Sequence, residues 1–196
     1  MSTLVFIRHG ETEMAGRFCG HCNPDLNLAG ELQAARAAEE VAQLGIQRIY
    51  SSDLLRASRT AAAIGRRIGV DVEFQDNLRE ISFGLWEGLS WQEIENRYPN
   101  ESADWLREFP LQSAPAGEQY AAFTARVEAA VALLLLETQA LNTAVVTHRG
   151  VMRYALSKFF GFAEDEAWTK TATYGAVVVA VARRTILPVL TEKGRE

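Results

Sequence analysis

Short apolar runs alternate along the chain with stretches whose apolar residues recur every three or four positions, and that alternation sets the expected architecture. Leu4-Val5-Phe6-Ile7 is a continuous apolar run, the pattern of a strand buried on both faces. From Leu28 to Leu44 the period becomes helical, with Leu32, Ala35, Ala38 and Val41 on one face and Gly45 where a C-terminal cap belongs. Ile49-Tyr50-Ser51 predicts a second strand. Ser52-Asp53 then offers an N-cap for a helix with the stripe Leu54, Ala57, Ala61, Ile64 and Ile68, closed by Gly69. Residues 70–74 alternate as a strand with one face toward the core. Pro99, Pro110 and Pro115 mark a loop-rich excursion, with short helices predicted over 91–98 and 101–109. A long helix follows from about Glu118 to Gln139, with Phe123, Val127, Ala130 and Leu134 in register. A strand over Thr143–Thr147, a helix over Val151–Phe160 and strands over Tyr174–Ala182 and Thr185–Leu190 complete the pattern. Strands interleaved with helices predict an α/β fold: a three-layer α/β/α sandwich around a mostly parallel sheet. One domain is expected over 1–196, with a small helical and loop excursion near residues 83–117.

Charge narrows the partners. Lys and Arg number 20 against 25 Asp and Glu, a formal net charge of −5, which argues against general nucleic-acid binding. A small anion in a locally basic pocket stays compatible with that balance. The most apolar stretch, Ala129 to Leu136, falls far short of the roughly 20 residues that span a bilayer, so no membrane association is expected. The first residues carry no basic segment followed by an apolar one and a small-residue cleavage site, which makes the cytoplasm the expected location.

Candidate chemistry gathers where ligands sit in open α/β sheets, beyond the carboxyl ends of the strands. Two of the three histidines occupy such positions: His9 follows Leu4–Ile7, and His148 follows Val145-Val146-Thr147 and opens the next helix. Arg8 adjoins His9, and Arg56 lies on the first turn of the helix after the second strand. A guanidinium presents paired donors matched to a phosphate. Glu80 stands at the entrance to the excursion.

These residues belong to an ordered set. Arg8-His9-Gly10-Glu11-Thr12 resembles the signature of the histidine phosphatases, the phosphoglycerate-mutase-like superfamily. The resemblance continues through Gly16-Arg17, Gly20, Leu26, Gly30 and the run from Ser51 to Ala57 with Thr60-Ala61. It extends over Leu78-Arg79-Glu80, Phe83-Gly84, Trp86-Glu87-Gly88, Gly117-Glu118 and Val145-Val146-Thr147-His148. It implies that His9 accepts the phosphoryl group as a phosphohistidine. It likewise implies that Arg8, Arg56 and His148 surround the phosphoryl oxygens, and that Glu80 is general acid and then base. Arg149 is expected to touch an anionic group, and Gly20 and His21 to lie against substrate. No cofactor and no metal is implied. The flanking arginines are expected to keep His9 neutral, and protonated Glu80 to give leaving-group departure a mildly acidic optimum.

Within that family the chain is most similar to the α-ribazole phosphatases of cobalamin synthesis and the small broad-specificity phosphatases. The expected substrate is therefore a small phosphomonoester such as α-ribazole 5′-phosphate. Residues 100–119 hold a single basic residue, Arg107, which favours hydrolysis over the phosphoglycerate-type phosphomutase alternative. Two positions depart from the family: Ala15, where Asn is frequent, and Arg149, where Gly is. A non-catalytic phosphate-binding module is the bland alternative. Cys19-Gly20-His21-Cys22 has thiol-redox spacing, but Asn23-Pro24-Asp25 follows it, where a redox helix would start. Two cysteines alone make a poor zinc site. Oligomeric state is left open, a homodimer included. Trp86, Trp91, Tyr98, Trp105 and Phe109 are expected mainly to pack together, with one or two at the mouth of the site.

Overall fold

The computed structural model describes residues 3–137 and 141–181. In chain order the elements are β1 (Thr3–Arg8), α1 (Leu28–Val41), β2 (Arg48–Ser52), α2 (Leu55–Ile68) and β3 (Val72–Gln75). Two short helices follow, α3 (Trp91–Arg97) and α4 (Pro99–Glu108), then α5 (Tyr120–Glu137), β4 (Thr143–Thr147), α6 (Arg149–Phe160), α7 (Glu164–Lys170) and β5 (Val177–Val181). The sheet order is β3-β2-β4-β1-β5, parallel except for β5, which runs antiparallel to β1.

Side-chain alternation along the strands divides the core into two layers. Leu4, Phe6, Tyr50 and Val145 face α5 and α6, packing with Phe123, Val127, Leu134, Met152 and Leu156. Val5, Ile7, Ile49, Ala144 and Val146 face α1 and α2, against Ala37, Ala38, Val41, Ala57, Ala61 and Ile64. A third cluster lies under the excursion, where Trp86, Ile94 and Ala114 gather Phe18, Trp91, Tyr98 and Trp105.

Several expectations need correction. The buried face of α1 is Gly30, Ala34, Ala37, Ala38 and Val41, a strip of mostly small residues set against α2; Leu32 and Ala35 point outward, Leu32 with 66% of its surface exposed. The Ala-rich sequence supports either stripe, and close packing selects the smaller one. The N-cap of α2 is Leu54 rather than Ser52 or Asp53; Ser52 is drawn into the site and Asp53 into an ion pair with Arg79. The C-cap of α1 is Ala42, before Gly45. On the outer strand β3, Phe74 is exposed, while Val72 packs on the core. Helix α7 was not expected, because a seven-residue element with only Ala167 buried shows no amphipathic stripe. The strand predicted over Thr185–Leu190 lies outside the described residues.

Candidate active site

Three neighbouring strands, β2, β4 and β1, end together at the carboxyl edge, and each delivers a polar residue there. Ser52 closes β2, His148 follows β4, and His9 follows β1, tied to its neighbour by the His9 N–H to Thr147 O bond of 3.0 Å. The rings of His9 and His148 stand 5.0 Å apart, both buried.

The proton positions on His9 follow from its partners. Its Nδ1 lies 2.7 Å from Gly10 O, which can only accept, so Nδ1 carries the hydrogen. Arg56 Nε lies 3.3 Å from His9 Nε2 and can only donate, so Nε2 holds a lone pair. Burial first, and the Arg56 charge second, hold His9 well below the usual imidazole range. The same two causes, in that order, act on His148. The shift runs in the expected direction, with desolvation rather than the arginines as its largest cause.

His148 Nε2 pairs with Ser52 Oγ at 2.9 Å, while its Nδ1 is buried with no partner among the described residues. Ser52 Oγ accepts the Leu54 N–H at 3.3 Å and keeps both its own hydrogen and a second lone pair for His148 Nε2, so this pair is compatible with either tautomer of His148.

Arg56, 1% exposed, is clamped by backbone. Nη1 donates to Cys22 O at 2.7 Å, and Nη2 donates to Gly20 O at 2.7 Å and Cys19 O at 3.2 Å. This gives the Cys19–Cys22 segment its role: its carbonyls orient a guanidinium. Its thiols are poor nucleophiles, since burial raises Cys19, and burial with the neighbouring Glu87 pushes Cys22 up to about 11. The segment is itself held by Glu87, whose carboxylate accepts the N–H groups of Gly20, His21, Cys22 and Phe83 at 2.7–3.0 Å. Burial raises the Glu87 carboxyl, but these donors outweigh it and leave the group below its ordinary value. A side chain at Gly20 would strike Ile81 O at 2.1 Å, so glycine there is a packing requirement.

Arg8 stacks on Tyr174, with its guanidinium carbon 3.9 Å from the ring centre, and donates through Nη1 to Thr171 O and Ala172 O. Its Nε is buried with no hydrogen-bond partner among the described residues. Glu80 is fixed at both oxygens: Oε1 accepts Ile81 N–H at 3.0 Å and Oε2 accepts Gly150 N–H at 2.9 Å. A Cβ at Gly150 would meet Glu80 Oε1 at 2.3 Å, which explains why a residue without a side chain follows Arg149. Arg126 of α5, paired with Glu118, donates to Asn77 O, Arg79 O and Glu80 O and so anchors the Glu80 backbone.

A cleft of about 950 Å³ opens over this centre. Arg8, His9, Arg56, Glu80 and Arg149 all line it, whereas His148, its ring 5.0 Å from that of His9, does not. Gly20 and His21 are absent from its wall: Gly20 serves through its backbone, and the exposed His21 donates from Nε2 to Glu80 O at 3.1 Å. Ala15 is exposed in a turn and does not reach the cleft. The far wall comes from the excursion, with Trp105, Leu106 and Phe109 facing Tyr120 and Tyr154. Sequence reasoning passed over Ser52, Thr60, Glu87 and Arg126 as working parts of the site. Thr60, whose Oγ1 accepts the Gly10 N–H and donates to Arg56 O, lay within the same ordered motifs, as did Ser52 and Glu87. Arg126 had no signal, since its contacts are to carbonyls 46–49 positions away.

No described helix is long and apolar enough to cross a membrane. Residues 4–185 match the family model described as histidine phosphatase superfamily (branch 1). Phosphoserine phosphatase 1 of Hydrogenobacter thermophilus is 30% identical over 197 residues, covering 95% of this chain and 91% of that protein. A Salmonella paratyphi B protein named "Probable phosphoglycerate mutase GpmB" is 31% identical over 87% of this chain and 79% of its own length. Among solved structures, the α-ribazole phosphatase of Shigella flexneri superposes with a TM-score of 0.82 at 25% identity, covering 90% of this chain and 89% of that one. With the strand-end histidines, the clamped arginine and this match over nearly the whole length, the chain belongs to the histidine phosphatase superfamily, branch 1, as a phosphomonoester hydrolase.

Proposed function

We propose that the chain hydrolyses small phosphomonoesters through a phosphohistidine on His9, without a metal ion. The observation that carries this reading is the fixed tautomer of His9: Nδ1–H is spent on Gly10 O, and the Nε2 lone pair meets the Arg56 Nε–H at the floor of the cleft. A phosphoryl group entering there would draw that N–H onto one of its oxygens and free Nε2 to attack. The buried Nε of Arg8, without a partner among the described residues, supplies a further donor, and on this reading the equally unpartnered Nδ1 of His148 carries that ring's hydrogen and supplies another. Phosphoryl transfer asks mainly for such positioning and charge neutralisation.

In the first step the Nε2–P bond forms as the P–O ester bond breaks, and Glu80, entering protonated, gives its proton to the leaving oxygen. In the second, Glu80 as carboxylate takes a proton from water as the water oxygen attacks phosphorus. The Nε2–P bond then breaks and inorganic phosphate leaves, with Glu80 protonated for the next cycle. Arg8, Arg56 and His148 hold the equatorial oxygens in both steps, and Arg149 stands at the entrance. The relatives named phosphatases support hydrolysis, the one named a probable phosphoglycerate mutase supports the mutase alternative, and α-ribazole 5′-phosphate is the aromatic candidate substrate for the cleft. The reading is tested with p-nitrophenyl phosphate in EDTA. Turnover in wild type and its loss in His9→Ala support it; a requirement for added metal, or phosphoglycerate interconversion without phosphate release, overturns it.

A further inference from the structure

We propose that Arg149, Arg153 and Trp168 form a second oxyanion subsite at the outer end of the cleft, which selects phosphomonoesters carrying an additional anionic group. The inference rests on the phosphatase reading above and narrows its substrate class, away from leaving groups without charge.

Both guanidinia lie against Trp168, their central carbons 4.0 and 4.3 Å from the ring centre. All three residues line the same cleft as His9 and Glu80. Neither arginine has a carboxylate within ion-pairing distance among the described residues, and the Nε of each is buried with no hydrogen-bond partner. Among the described residues the single hydrogen bond of the Arg149 side chain is a long one, Nη2 to Trp168 O at 3.5 Å. Elsewhere most arginines are matched: Arg17, Arg48, Arg59, Arg67, Arg79, Arg97, Arg107 and Arg126 each pair with Asp or Glu. In a chain of net charge −5, two adjacent cations without a counter-ion among the described residues are conspicuous.

Their placement also opposes helix stability. Arg149 is the first residue of α6 and Arg153 stands one turn later. Cations at a helix N-terminus meet the positive end of its dipole, and like charges four apart repel. Burial first, and the charge of Arg153 second, lower the Arg149 guanidinium, as expected for two neighbouring cations. Glu80 and Glu164 also line this cleft, but Glu80 is engaged by Ile81 and Gly150, and Glu164 comes within ion-pairing distance of neither arginine. Stacking on one indole offsets part of the repulsion and holds two planar donor forks beside each other. Such forks match a carboxylate or a second phosphate. The arrangement therefore costs the helix stability and is satisfied by a bound oxyanion.

The test compares phenyl phosphate with 4-carboxyphenyl phosphate and 1,4-phenylene bisphosphate, in wild type, Arg153→Gln and Arg153→Lys. Each substrate is compared with itself across proteins, so leaving-group reactivity cancels. Loss of one charge-assisted interaction in Arg153→Gln is expected to raise KM about tenfold or more for the two substrates that carry a second anionic group. It should leave kcat, and all constants for phenyl phosphate, within about twofold. Arg153→Lys should recover part of the loss, and whichever of the carboxylate-bearing and bisphosphate probes shows the larger effect separates carboxylate from phosphate recognition. Equal loss on all three substrates, or no loss on any, overturns the subsite. Failure of wild type to hydrolyse phenyl phosphate would instead count against the phosphatase reading. In that event, calorimetric titration of His9→Ala with the same probes still decides: tighter binding of 4-carboxyphenyl than of phenyl phosphate, lost on adding Arg153→Gln, supports the subsite, and equal binding refutes it.

Discussion

The floor of the cleft and its outer wall are built on opposite plans. On the floor, at the strand ends, Arg56 spends its Nη groups on three carbonyls, Glu87 collects four backbone N–H groups, and Glu80 is pinned at both oxygens. At the wall, Leu106 is 64% exposed and Phe109 52%, and Arg149 and Arg153 have indole and solvent where a counter-ion would be. The contrast separates two tasks. On the proposed reading, the groups assigned to the transition state are held by backbone at the strand ends, while the groups assigned to substrate selection sit on partly exposed side chains of the wall.

The largest break in that contrast is expected from Glu87, which never lines the cleft yet governs it. Glu87→Gln replaces a charged acceptor with one that also brings two donors into a site full of donors. It should destabilise the fold by about 1.5–3 kcal/mol. It should also lower kcat about 100-fold, since the Cys19–Cys22 carbonyls would no longer aim Arg56. Urea denaturation and steady-state kinetics measure both, and a stability loss without a kcat loss would show that the clamp does not orient Arg56.

A middle-sized effect comes from pH. His9 and His148 are both held below their unfolded value, so as pH falls through about 6.5 the unfolded chain takes up protons that the folded chain refuses. Stability is present above that pH and is lost below it, by at most about 1.4 kcal/mol per pH unit for each histidine. Urea midpoints between pH 7.5 and 5.5 should fall less steeply in His148→Gln than in wild type; equal slopes would mean that this histidine is not buried neutral. The smallest effect belongs to the wall: Leu106→Ala should change stability by no more than about 0.5 kcal/mol, read from Tm.

The layout of the centre was legible in the sequence because strand ends and glycine-flanked histidines are local signals. His9, Arg56 and His148 could each be singled out from their places at strand ends, whereas Glu80 rested on the resemblance to the family. What tied them together was not local. The His9 tautomer depends on Arg56, 47 positions away, and the Arg56 clamp on Glu87. Gly20 and His21 were expected at substrate because their motif is near the site, but motif proximity does not distinguish a wall from the scaffold behind it. The fold shows the same limit. The stripe Phe123, Val127, Ala130 and Leu134 was unambiguous and is buried throughout. In α1 two faces of alanines were equally periodic, and close contact with α2 decided between them.

The central claim is that His9 Nε2, neutral and aimed into the cleft, receives the phosphoryl group. Its most direct test is rapid-quench trapping with a phosphate-labelled phenyl ester, followed by peptide mapping under alkaline conditions that preserve phosphohistidine. One acid-labile label on the peptide carrying His9, formed within the first turnover and released in step with inorganic phosphate, is the predicted result. Label on His148, His21 or any other residue, or phosphate release with no labelled protein at any time, would contradict it.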